Sequence, residues 1–167
     1  LLAPEDVQEI ENQFFIGNYH DVISSAGDLV LSDPAATVFL EFYVLRSHLA
    51  LGDAARVISS VDSSSSSVLQ SVRVAAEYMQ ARSAGDAAKK TAALDRIKDM
   101  VKGQGDAGEA QALINVMAAS ILLMEGEFAD ALRAVHNEDS LEGCVRCRIA
   151  KGSIGEGRRR WGWGDVF

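Results

Sequence analysis

Gly17-Asn18-Tyr19, Gly52-Asp53-Ala54, Gly85-Asp86-Ala87 and Gly126-Glu127-Phe128 write one pattern four times along the 167-residue chain, at spacings of 35, 33 and 41 residues. At three of them a β-branched or small residue and an aliphatic one follow five and six places on: Val22-Ile23, Val57-Ile58 and Ala131-Leu132. Recurrence over this length is the signature of a solenoid of stacked supersecondary units. In each unit a helix stops, turns tightly on a glycine and restarts antiparallel. Glycine supplies the left-handed backbone, and the Asn, Asp or Glu after it is placed to cap the second helix. Such a stack presents a surface rather than a catalytic pocket.

The apolar periodicity predicts an all-α chain of antiparallel helical hairpins, with helices near 5–16 and 19–31, 35–51 and 53–61, 68–82 and 86–102, 109–124 and 127–137. Residues 140–150 begin a further first helix. The tetratricopeptide (TPR) unit of about 34 residues has this design, with a small or aliphatic residue of the second helix locked against the first. The first unit also reaches Asp33-Pro34, where a TPR unit ends in Asp-Pro. The match is partial. Asp6 and Asn115 stand where a large residue opens the first helix, and Lys90 stands where a buried small residue is expected. The aromatic after the turn, Tyr19 or Phe128, is expected to pack back on its own first helix and bury much of its ring.

With 48% hydrophobic residues, 7% aromatics and only two prolines, the composition favours helix over sheet. Sixteen basic against twenty-four acidic residues leave a net charge of −8, which argues against nucleic acid as a partner. No apolar run has the length of a membrane span, no signal peptide opens the chain at Leu1, and so low a cysteine count suits a reducing cytosol, so a cytosolic protein is expected. Two cysteines are too few for a disulfide scaffold. Composition divides the chain into a helical-repeat domain over 1–151 and a Gly/Arg/Trp tail over 152–167, which lacks helical period and is expected to be disordered.

Several local patterns carry less than they suggest. Gly103 to Gly108 fits G-x-G-x-x-G, but a dinucleotide site needs a strand before it, and Leu94 to Lys102 has helical period. Cys144 and Cys147 have C-x-x-C spacing, yet only His136 is near in sequence and zinc takes four ligands. His20, His48 and His136 stand singly, with no triad about them, and the acidic residues are scattered. No catalytic residue, metal site, cofactor or small-molecule substrate is indicated. The run Ser63 to Ser67 is expected to be a flexible inter-helix loop, with phosphorylation the lesser alternative. Arg158 to Arg160 with Trp161 and Trp163 have the residue types that stack on single-stranded RNA, in one short cluster on an acidic chain.

Asn12-Gln13-Phe14-Phe15-Ile16-Gly17-Asn18-Tyr19, then Phe39-Leu40-Glu41-Phe42-Tyr43 leading to Leu49-Ala50-Leu51-Gly52, resemble the first two repeats of the epsilon subunit of coatomer. So do Leu69-Gln70-Ser71-Val72-Arg73 with Ala76-Glu77-Tyr78-Met79, Met117 to Ile121, Ala131 to His136, and Asp139-Ser140-Leu141-Glu142. The resemblance runs over residues 5–150 and rests on packing motifs in order and spacing. It implies a TPR-like α-solenoid in the COPI coat, which carries cargo from Golgi to endoplasmic reticulum. It also implies a grip on the C-terminal region of the alpha subunit, contact with the other coatomer subunits, peripheral association with Golgi membrane and vesicles, and no enzymatic activity. After Ser140-Leu141-Glu142 the chain departs from the family pattern, which puts part of the gripping surface in question.

First helices line the concave side of such solenoids, and aromatics and Arg are the usual anchors of interfaces. Phe39, Phe42 and Arg46 are therefore the candidate partner-binding residues. For Phe39 and Phe42, packing between repeats is an equal alternative. The rival function is a TPR adaptor of another complex, such as a co-chaperone that captures a C-terminal carboxylate. The inner positions, however, are Gln8, Glu11, Tyr43 and Arg46, with one cation among them.

Overall fold

The computed structural model describes residues 5–102 and 108–135, which form eight helices with no strand among them. They are α1 (Glu5–Phe15), α2 (Tyr19–Asp28), α3 (Pro34–Ala50), α4 (Ala54–Ser60), α5 (Ser67–Ala84), α6 (Ala87–Lys102), α7 (Glu109–Glu125) and α8 (Phe128–Val135). They pair as hairpins: α1 with α2, α3 with α4, α5 with α6 and α7 with α8. First helices also pack in series, α1 on α3, α3 on α5 and α5 on α7, and each second helix packs on the next first helix. This is the all-α solenoid of hairpins that the glycine period predicts.

The four turns are built alike. Gly17, Gly52, Gly85 and Gly126 have φ of +89°, +83°, +70° and +80°. In each, the N–H after the glycine donates to the carbonyl five residues back, at 3.0, 2.9, 2.9 and 2.9 Å. The glycine N–H donates to the carbonyl three back, at 3.1, 2.9, 3.2 and 3.1 Å. This paired pattern satisfies the last carbonyls of a helix and requires the left-handed residue. Asp53 and Asp86 then cap the second helix, accepting from the Arg56 N–H at 3.3 Å and the Lys89 N–H at 3.1 Å. Asp33 caps α3 through the Ala35 N–H, with Pro34 opening the helix.

Five residues past the glycine, Val22, Val57 and Ala131 are completely or almost completely buried, the packing role their spacing assigned. Lys90, the odd residue in this register, is half-buried with its Nζ 3.1 Å from Glu125 Oε2 on α7. A charge sits in a small-residue position because the next repeat supplies its partner. Asn115, the other irregularity, is buried and accepts from Gln111 Nε2 at 2.9 Å. The serine run is held by α5: Gln70 Nε2 donates to the carbonyls of Ser63 and Ser65, and Ser66 caps the helix through the Leu69 N–H.

Phe128 corrects the expectation that the aromatic after its turn buries much of its ring: it is 63% exposed. Tyr19 is half-buried because Phe14 lies against it, with ring centroids 5.4 Å apart. At Phe14's position in the fourth unit stands Leu123, and no following first helix packs on α8 among the described residues. Residues 103–107, the C-x-x-C pair, His136, the expected helix at 140–150 and the 152–167 tail lie outside the described residues.

Candidate partner-binding surface

The repeat register locates the face where first helices meet solvent. Ten residues before the glycine stand Val7, Phe42, Ala75 and Val116, of which the first three are buried. Six before it stand Glu11, Arg46, Met79 and Ser120, all four half-buried. Glu11, Arg46, Met79 and Ser120 therefore form one half-open row across the four hairpins, one residue per repeat. Successive first helices pack directly on one another, so these equivalent positions lie on neighbouring helices.

Arg46 is the one cation in that row, and the aromatic core holds it. Its guanidinium carbon lies 4.5 Å from the Phe14 ring centroid on α1 and 5.2 Å from that of Phe42 on its own helix. A guanidinium over two ring faces is attracted to both quadrupoles and keeps a fixed orientation. Burial pulls its pKa below the ordinary guanidinium value, while Tyr43, Tyr19 and Glu11 act in the opposite direction. Below it, Tyr43 Oη donates to Glu11 Oε1 at 2.7 Å, joining α3 to α1. Phe14, Phe15, Tyr19, Phe42 and Tyr43 form a connected set of ring contacts at 5.4–6.3 Å.

Phe42 is fully buried and forms the floor of this cluster, so it offers a ligand no surface of its own. Phe39 is half-buried and packed against the core, and Arg46 is half-buried with a polar head in the row. The structure thus brings Phe42 and Arg46 into contact and sets Phe39 one helical turn away from Phe42. Phe14, Glu11 and Tyr43 complete the cluster and were legible only as apolar or inner positions. Their convergence depends on α1 packing on α3.

A second polar joint lies between the third and fourth hairpins. Tyr78 Oη donates to Glu125 Oε1 at 2.5 Å, and Lys90 Nζ donates to the other oxygen at 3.1 Å. Burial, then the carboxylate beside it, pushes the Tyr78 phenol up to about 12. Among the described residues no three His, Cys, Asp or Glu side chains converge as a metal site, and no helix is long and apolar enough to cross a membrane. The element before the glycine-rich hexapeptide is α6, a helix, which is not the context of a dinucleotide loop.

Stacked hairpins with left-handed glycine turns and a half-open row on the first helices define a TPR-like helical-repeat protein, a class that works by binding other proteins. The sequence model of the coatomer epsilon subunit family matches residues 3–148, and the chain belongs to that family. Coatomer subunit epsilon-1 of Oryza sativa subsp. japonica is 28% identical over 142 residues, covering 85% of this chain and 46% of its own length. Coatomer subunit epsilon-2 of Arabidopsis thaliana is 26% identical over 138 residues, covering 80% and 43%. The chain spans less than half the length of these curated relatives.

Proposed function

We propose that the chain is a structural subunit of the COPI coat, acting by protein–protein binding to the alpha subunit in vesicle transport between Golgi and endoplasmic reticulum and within the Golgi. It associates with Golgi membrane and COPI vesicles peripherally, through the coat, and performs no catalysis. Family membership supports the coat role. The observation that carries the binding mode is the half-open first-helix row with Arg46 held between Phe14 and Phe42. An orientated guanidinium on an aromatic floor is the kind of group that anchors interfaces. We assign contact to Arg46 and Phe39, with Phe42 supporting Arg46 from beneath. The row has one cation, stacked on rings, rather than the convergent Lys and Asn groups a C-terminal carboxylate needs, which disfavours a co-chaperone adaptor.

The test is titration of the C-terminal region of the coatomer alpha subunit onto this chain and onto its Arg46→Ala and Phe39→Ala variants. Loss of one Arg or aromatic anchor is expected to weaken binding by about tenfold or more. Unchanged affinity in both folded variants would remove the face from the interface. Absence of binding by the parent chain would remove the alpha subunit as its partner.

A further inference from the structure

Charge is distributed very unevenly along this chain. Residues 1–62 hold ten carboxylates against Arg46 and Arg56 alone, which accounts for the whole net charge of −8. Residues 63–167 carry fourteen of each sign. In the third and fourth hairpins the carboxylates are matched locally: Glu77 by Arg73 and Arg96, Glu125 by Lys90, and Glu127 by Lys98. In the first two, Glu9, Asp21, Asp28 and Glu41 are all exposed, on a stretch of the chain with two cations.

The same end leaves two large apolar side chains uncovered. α1 packs chiefly against α2 and α3, and its other side, with Gln8, Glu9 and Asn12, is exposed. Phe15 and Ile16, where α1 ends, are 51% and 69% exposed, although Phe15 still touches the Phe14 and Tyr43 rings. Two adjacent large apolar side chains on the stretch that carries the unmatched carboxylates ask for an occupant that is both basic and aromatic.

We propose that the occupant is residues 143–163 of the same chain. That segment has six basic residues, Arg146, Arg148, Lys151 and Arg158 to Arg160, against Glu156 alone, with Trp161 and Trp163 beside the arginine triplet. Its cations match the carboxylates of the first two hairpins, and its indoles are suited to cover Phe15 and Ile16. The reach is sufficient. Arg158 follows Val135 by 23 residues, which span up to about 75 Å. From α7 to α1 there are three first-helix steps of 8–10 Å each, roughly 30 Å. This docking is a property of the chain apart from its coat role.

Trp161 and Trp163 are the only tryptophans, so indole fluorescence reports this segment alone. Acrylamide quenching of the full chain is compared with a synthetic 143–167 peptide. At low salt the full chain should be quenched at least about twofold less, and at 1 M salt, where screening falls to about 3 Å, it should approach the peptide. Phe15→Ser with Ile16→Ser, and separately Glu9→Lys with Asp21→Lys and Glu41→Lys, should each abolish the protection while circular dichroism stays helical. Quenching equal to the peptide at low salt overturns the proposal, as does protection that survives both surface variants. Protection that grows with protein concentration alongside a sedimenting dimer also overturns it, placing the segment on a second copy.

Discussion

Phe42 and Phe128 both stand in the repeat register, yet one is fully buried and the other 63% exposed. Removing a buried ring costs transfer energy and leaves a cavity, so Phe42→Ala should cost about 3–5 kcal/mol. Phe128→Ala should cost less than about 1 kcal/mol, as exposed positions do. Urea unfolding of the two variants checks both, and a large loss at Phe128 would show that the ring is covered in solution. Single groups also set the pH response. The His48 imidazole is held below its ordinary 6.5, first by burial and then by Arg56. The unfolded chain therefore binds the proton more readily, so this contribution is complete above pH 6.5 and is lost as pH falls below it. The Glu125 carboxyl is held below 4.5 by the Tyr78 hydroxyl and then by Lys90, so its contribution is lost at still lower pH. Stability measured from pH 8 to pH 3.5 should decline in these two stages, with the first removed by His48→Gln.

Each first helix ends on a glycine with positive φ, and a Cβ added at Gly85 would meet nothing within 4 Å. The cost of Gly85→Ala is then backbone strain alone, about 1–2 kcal/mol. Gly85→Asn should cost less, because Asn tolerates the left-handed region better. Thermal unfolding of the pair checks the order, and equal losses would show that packing, not φ, governs the turn. Helix boundaries were legible in the sequence to within a few residues because glycine turns and caps are local chemistry. The α2 end was less so: it stops at Asp28 rather than near residue 31, with Leu29 extended at its end. Apolar Leu29, Val30 and Leu31 continue the helical pattern, yet the chain must straighten to reach the Asp33 cap of α3.

Solenoid contacts run between neighbours, so protection should follow the number of packed sides. α3 and α5 each touch four other helices, whereas α8 packs chiefly on α7. Hydrogen exchange should be slowest in α3 and α5 and fastest in α8, and slow exchange in α8 would indicate a further element packed on it. The candidate surface was only partly legible at this scale. Phe39, Phe42 and Arg46 follow from their place on a first helix. That Phe42 is a floor, and that Arg46 lies across to Phe14, depends on how closely α1 approaches α3.

Sequence alone determined the hairpin period, the four turns, the buried positions five past three of the glycines and the family. These depend on backbone sterics and on contacts between residues close in the chain. Only the tertiary structure decided that Lys90 is matched by Glu125, that Phe128 faces solvent, and that Glu11, Arg46, Met79 and Ser120 form one half-open row. Those outcomes depend on which side chains neighbouring helices bring within a few ångströms, a distance that periodicity along one helix does not encode.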